Sequence, residues 1–383
     1  MVNPSEPRTY SSPRRDAVRL FLCGDVMTGR GLDQILGHPC DPTLHEDYVP
    51  TALDYLRLAE KANGPIARPV APSYIWGDAL DELRRAGPDL RIINLETAVT
   101  RSEQFAPKGI NYRMSPENAD CLTAAAIDGC VLANNHVLDW GRAGLLETLS
   151  SLERLKIRTA GAGRNAEQAG APAILPVAGK ARVLLYAFAH GTSGTPRSWA
   201  ATRDGPGVNF LADLAEATAI RLGERIARER HAGDVVVVSI HWGANWGYDI
   251  PDEQRLFAHA LIEQAGVSVV YGHSSHHPKG IEVYRNRLIL YGCGDFLNDY
   301  EGIRGYEAFR GDLTSMYLPD IAPASGELTA LAIVPFQVRK FRLVRPSEAD
   351  IHWLWQRLDR ECATFGASVA IKEPARLALA WRA

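Results

Sequence analysis

The chain has 383 residues, 46% hydrophobic and 23% charged, with a net charge of −3. That is ordinary globular composition, and α/β folds of this length often run as one unit. The charge gives no reason to expect nucleic acid, and no run of about 18 apolar residues offers a membrane span.

In chain order, residues 1–16 are polar and rich in Pro, Ser and Arg. They read as a disordered arm without the apolar core of a signal peptide, so a cytoplasmic protein is expected. The first predicted strand is Val18–Cys23, ending at Gly24-Asp25. Residues 38–75 are rich in Pro, His, Asp and Tyr and read as an insertion or lid in short pieces. A helix is expected at 77–85, a strand at 89–94 ending in Asn94-Leu95-Glu96, and a helix at 116–126. A short apolar run at 130–132 precedes the loop Ala133-Asn134-Asn135-His136-Val137-Leu138-Asp139, and a helical pattern follows at 144–155. That is a strand, a tight loop and a helix, the place where open α/β sheets hold ligand groups.

Residues 182–187 form a further predicted strand, and 234–240 is a β-branched run of the kind buried on both faces. A helix at 252–264 and buried strands at 267–271 and 288–291 follow, with a hairpin over 280–287. Beyond Leu313 the pattern alternates, with strands at 328–334 and 337–344. Pro346 opens a helical tail, 346–383, with its helix at 347–365. The expected organisation is one layered α/β/α domain over 17–345 with a C-terminal appendage. The six cysteines show no Cys-x-x-Cys spacing, and Cys23, Cys130 and Cys293 sit in apolar runs. They read as buried reduced thiols, not as a disulfide framework.

The chemistry collects at strand ends. Asp25, Glu96 and His241 each follow an apolar run. Taken singly, each has a plain alternative: a helix cap, a surface ion pair, a core histidine. Gly272-His273-Ser274-Ser275-His276-His277-Pro278 places three histidines within five residues after a buried strand, which packing does not explain. In Tyr291-Gly292-Cys293-Gly294-Asp295-Phe296, glycines allow close backbone approach and Asp295 projects at a strand end, where it can fix a histidine tautomer. His190-Gly191-Thr192-Ser193 is a candidate for the same cleft. Asp25, Glu96, Asn135, His241 and His273 mix oxygen and nitrogen donors, which suits Mn²⁺, Fe²⁺, Ca²⁺ or Mg²⁺. The lack of thiolates argues against structural zinc. Trp242 and Trp246 are either core or the walls of a pocket for an apolar group.

Five ordered motifs resemble the capsule-synthesis (CapA, polyglutamate) family within the calcineurin-like metallophosphatase superfamily. They are Gly24-Asp25-Val26-Met27-Thr28-Gly29-Arg30, Asn94-Leu95-Glu96, Asn134-Asn135-His136 with Asp139-Trp140-Gly141, His241-Trp242-Gly243, and Gly272-His273 with His276. The resemblance spans roughly residues 18–300 and implies a four-layered α/β/β/α sandwich with metal at the strand ends. Two positions depart from the superfamily pattern: Met27 and Ser275 stand where metallophosphatases carry histidines of the first metal. One ion per chain, calcium or manganese, is therefore favoured over a two-metal clamp, held by Glu96, Asn135, His241 and His273, with Asp25 direct or through water. His136 with Asp139, and His276 with Asp295, are then free for proton transfer.

Some soluble relatives look like peptide epimerases that act on the C-terminal residue of a lasso-type precursor. On that analogy the first expectation is a metal-dependent epimerase inverting a Cα centre of a peptide. Trp140, Trp242, Trp246 and His277 would hold the substrate. The alternatives are a metal-dependent hydrolase of phosphoester or γ-glutamyl bonds, or an assembly protein for an anionic poly-amino acid. The expected partner is a peptide or poly-amino-acid substrate, with neither nucleic acid nor membrane.

Overall fold

The structure is a computed structural model, described for residues 16–373 and 375–382. The arm expected at 1–16 lies, apart from Asp16, outside the described residues.

Two sheets form the centre of the molecule, one of 11 strands and one of 7. In the second sheet Val235–His241 is buried at every position and lies parallel between Ala181–His190 and Val269–His273. Successive side chains on a strand point to opposite faces. Val235 and Val237 accordingly join the core shared with the first sheet, where Leu20, Leu22 and Ile92 also lie. Val236, Val238 and Ile240 face a second core with the helices Glu216–Glu229 and Asp252–Ala265. In the first sheet Leu90–Leu95 runs parallel between Asp25–Val26 and Gly129–Val131. Ala79–Ala86 and Gly141–Arg154 bury Leu83, Leu145 and Leu152 in the first core. Helix, sheet, sheet and helix give the expected four-layered α/β/β/α sandwich. All six cysteines are free and buried, as expected. No helix among the described residues is long and apolar enough to cross a membrane.

Three segments differ from the sequence expectation. Residues 38–75 are not merely short pieces. They contain the helix Ala52–Asn63, capped by Thr51, which accepts from the Leu53 amide at 3.3 Å. Ala52, Tyr55, Leu56 and Ala59 make its buried stripe. The two late strands expected at 328–334 and 337–344 are one long strand, Glu327–Val338, followed by the short Leu343–Val344. The C-terminal tail is helical only at Glu348–Ala363. Gly366, at φ +71°, breaks the helical period, and Ala367–Glu373 and Arg376–Trp381 form a hairpin that pairs with Glu327–Val338. Its inward residues Leu377, Leu379 and Trp381 belong to the first core, which makes the hairpin an integral edge of the first sheet.

Candidate metal centre and its acid-base flanks

Parallel register assembles the centre. Asp25 stands opposite Asn94, and His241 opposite His273. The strand-end loops then bring in Glu96, Asn135, His136 and His276. The Asn135 side-chain oxygen lies 2.9 Å from His241 Nε2, and Glu96 Oε1 lies 3.8 Å from the same nitrogen. His241 Nδ1 and His273 Nδ1 are 2.7 Å apart, and His273 Nδ1 is 3.9 Å from Asp25 Oδ1. Donors spaced by roughly 3 to 4 Å match ligands around an ion with bonds near 2.1 Å. One ligand atom each from Asp25, His241 and His273 falls within 4.8 Å of the others.

The charge balance points the same way. Burial, then Asp295, pushes the Asp25 carboxyl up to about 7. Burial, then Asp25, raises Glu96 as well. Burial lowers His273 to about 3, and burial with neighbouring His273 lowers His241. Neutral imidazoles among crowded carboxylates are what a divalent cation needs. Asp25, His241 and His273 form one trio, and Asn135 and Glu96 gather at the other ring nitrogen of His241, so the five predicted residues are neighbours and their chemistry suits a divalent ion.

Two His–Asp pairs flank the donors. His136 Nδ1 is 2.6 Å from Asp139 Oδ2, and its Nε2 is 3.8 Å from Glu96 Oε1. His276 Nδ1 is 2.8 Å from Asp295 Oδ1. Burial lowers His136 to about 4, against the opposing pull of Asp139. Burial also opposes the charged form of His276, but Asp295 and Asp25 outweigh it and hold the imidazole above its ordinary value. The two environments push in opposite directions, His136 toward its neutral form and His276 toward its charged one. Asp25, His276 and Asp295 form a second trio with ligand atoms within 4.8 Å, sharing Asp25 with the first.

Several supporting residues complete the site, and of these Ser239, Lys108 and Asn298 carry no sequence signal. Asn134 accepts from the His136 and Val137 amides at 3.1 and 3.0 Å, and donates to Asn94 Oδ1 at 3.0 Å, which locks the loop. Asn94 in turn donates to Asp25 Oδ1 at 2.8 Å. Ser239 Oγ is 2.6 Å from His273 Nε2, so Nδ1 faces the donors. Lys108 reaches Asp139 Oδ1 at 2.8 Å and also donates to the Asn135 carbonyl. Asn298 donates to Asp295 Oδ2 at 2.8 Å. Ser274, at φ +104°, turns its amide to Asp25 Oδ2 at 3.2 Å, a strained backbone held by its surroundings. Gly24 makes close approach possible: a Cβ there would lie 1.8 Å from the Gly294 carbonyl oxygen. The Asp25 amide donates to that oxygen at 2.9 Å, which brings the Asp25 and Asp295 strands side by side.

The substrate-binding expectation needs correction at three of its four residues. Trp242 shares the face of Ile240, not of His241, so it packs in the helix-side core and donates to the Tyr291 carbonyl at 3.0 Å. Trp140 is buried with the Arg113 guanidinium 3.8 Å from its ring centre. His277 is buried against Tyr248 and Phe309, with ring centroids at 4.5 and 4.7 Å. Trp246 does line a cavity, and His276 stands in the same wall. Thr192 accepts from the Gly243 amide at 3.0 Å, placing the 190–193 segment beside the His241 loop.

Comparison with known proteins gives a coherent neighbourhood. Residues 19–300 match the family described as "Bacterial capsule synthesis protein PGA_cap". A "Probable polyglutamine synthesis accessory protein" of Mycobacterium tuberculosis is 45% identical over 359 residues, covering 93% of this chain and 94% of the relative. "PGA biosynthesis protein CapA" of Bacillus subtilis is 28% identical over 365 residues, covering 91% and 82%. A solved structure titled as a novel phosphatase of Mycoplasma pneumoniae aligns at TM-score 0.46 and 10% identity, over 86% of this chain and 95% of that one.

Proposed function

The chain belongs to the bacterial capsule synthesis protein (PGA_cap) family, and from that premise we propose that it is a metal-dependent hydrolase of amide bonds in a poly-amino acid, acting as an accessory to polymer synthesis. One observation carries the reading: the Asp25, His241 and His273 trio, with Glu96 and Asn135 beside it, lies next to two His–Asp pairs, one of which stands in a cavity wall. Asp25, His241 and His273, with Glu96 and Asn135 beside them, would hold a divalent ion that would supply carbonyl polarisation and acidify water. The residues do the rest. His136, oriented through Nδ1 by Asp139, takes the proton of the attacking water. His276, oriented through Nδ1 by Asp295, gives its proton to the departing amine. Water and amide become carboxylate and amine, and both histidines are reset by exchange with solvent.

Epimerisation is the second reading, and the two pairs themselves favour it: opposed acid and base groups can also remove and return one proton at a Cα. The names of the relatives support the polymer-synthesis alternative instead. A single experiment separates the two. Poly-γ-glutamate and mixed peptides are incubated with the Mn²⁺-loaded protein in D₂O and followed by mass spectrometry. Hydrolysis gives shorter chains with new amines; epimerisation gives one deuterium and no cleavage. Full turnover by His276→Ala would sink both.

A further inference from the structure

A cavity of about 770 Å³ opens beside His276, within the range of sites for small organic groups. Tyr48, Val49 and Leu58 of the 38–75 segment line it, as do Trp246, Ile303 and Tyr306. Trp246 and Tyr306 stack with centroids 4.1 Å apart and planes 8° from parallel, and Trp246 lies 5.3 Å from the His276 ring. An aromatic surface therefore leads to the imidazole. Tyr48 is 66% exposed, Tyr306 48% and Ile303 42%. Three large apolar side chains grouped at one opening are a binding feature more than a surface accident.

The charges around this cavity do not suit a polyanion. Arg30 is committed to Asp299 and to Glu46 at 3.0 Å. Arg310 is committed to Asp312 at 2.8 Å and Asp350 at 2.6 Å. Arg339 also lines the cavity, beside the carboxylates of Glu301 and Glu307. A run of glutamates would meet two arginines already paired with carboxylates, a single further arginine, and the carboxylates of Glu301 and Glu307, which repel it.

We infer that the cavity receives an uncharged apolar side chain, aromatic by preference, on the residue next to the amide presented to His276. The substrate is then a peptide segment or capped end bearing such a residue, not an uninterrupted glutamate run. The link between the cavity and turnover rests on the proposed hydrolase; binding in the cavity does not.

Saturation-transfer NMR tests this with N-acetyl-L-phenylalanine amide and N-acetyl-L-glutamate amide as probes. The proteins are wild type, Tyr306→Ala, Ile303→Asp and His276→Ala, each checked by thermal unfolding. The phenylalanine ring receives saturation from wild type and from His276→Ala. Its affinity falls roughly tenfold in Tyr306→Ala, on loss of an aromatic contact, and further in Ile303→Asp. The glutamate probe stays silent. Equal or tighter binding of the glutamate probe overturns the inference, as does a phenylalanine signal indifferent to both rim substitutions. A protein that binds the phenylalanine probe but cleaves nothing overturns the hydrolase and leaves the cavity assignment standing. One that cleaves polyglutamate and ignores phenylalanine does the reverse.

Discussion

Arg30→Met removes a buried cation from between two carboxylates. Arg30 Nε and Nη2 hold Asp299 at 3.1 and 2.5 Å, while Nη1 reaches Glu46 at 3.0 Å and the Tyr55 hydroxyl at 2.9 Å. The guanidinium also lies 3.8 Å from the Tyr55 ring centre and 4.4 Å from that of Tyr112. Methionine keeps much of the stem volume but leaves both acids without their cation. Asp299 keeps the Gly31 amide at 3.0 Å, and Glu46 keeps the Tyr55 hydroxyl at 2.5 Å. Removing one partner of a buried pair costs about 3–5 kcal/mol, and these remaining bonds place the expected loss near the lower end, about 3 kcal/mol. Against a total of about 5–15 kcal/mol, that is a large fraction. Urea unfolding at pH 7, followed by far-UV circular dichroism, reads it directly. Adding Glu46→Gln removes one orphaned charge and should return about 1 kcal/mol. Hydrogen exchange should quicken in Ala52–Asn63, because Glu46 and Tyr55 tie that segment to the body. A loss under about 1 kcal/mol, or further destabilisation by Glu46→Gln in the Arg30→Met background, would refute the reasoning.

His276→Ala should cut turnover by about 10²- to 10⁴-fold, the usual worth of a general acid, while elemental analysis finds metal content unchanged. Asn135→Ala should lower metal content, since its side-chain oxygen stands 2.9 Å from His241 Nε2; retention of full metal would remove it from the ligand set. Purified protein should carry one ion per chain, and two would turn Asp25, His276 and Asp295 into ligands and end the acid role for His276. Chelation should lower the unfolding temperature, and Mn²⁺ at a hundredfold excess over its Kd should restore about 2.7 kcal/mol. Ile333→Ala, in the centre of a core strand, should cost about 2–5 kcal/mol by calorimetry without touching metal content.

Asp25, Glu96, His241 and His273 were legible in sequence because each polar group ends or follows an apolar run, and parallel pairing lines such ends up. Ser239 and Lys108 were not, because their work depends on partners 34 and 31 residues away. Trp242 misleads for a physical reason: adjacency to His241 in sequence means the opposite face of the strand. The helix Ala52–Asn63 was masked by the proline-rich stretches on either side of it. The C-terminal hairpin was hidden by its short Ala-Leu alternation, which gains meaning only beside Ala332 and Ile333.

The contact between Gly24 and Gly294 carries a consequence for redesign. The strands that carry Asp25 and Asp295 are held together there by main chain, with the Asp25 amide bonded to the Gly294 carbonyl. Ligand swaps at His241 or Glu96 can retune which ion binds, yet they leave that spacing fixed. A Gly24→Ala change would act as a wedge, driving the Asp25 and Asp295 strands apart without replacing any donor residue. Evolution of a new reaction on this frame is thus freest in the cavity walls and most constrained at a residue with no chemistry of its own.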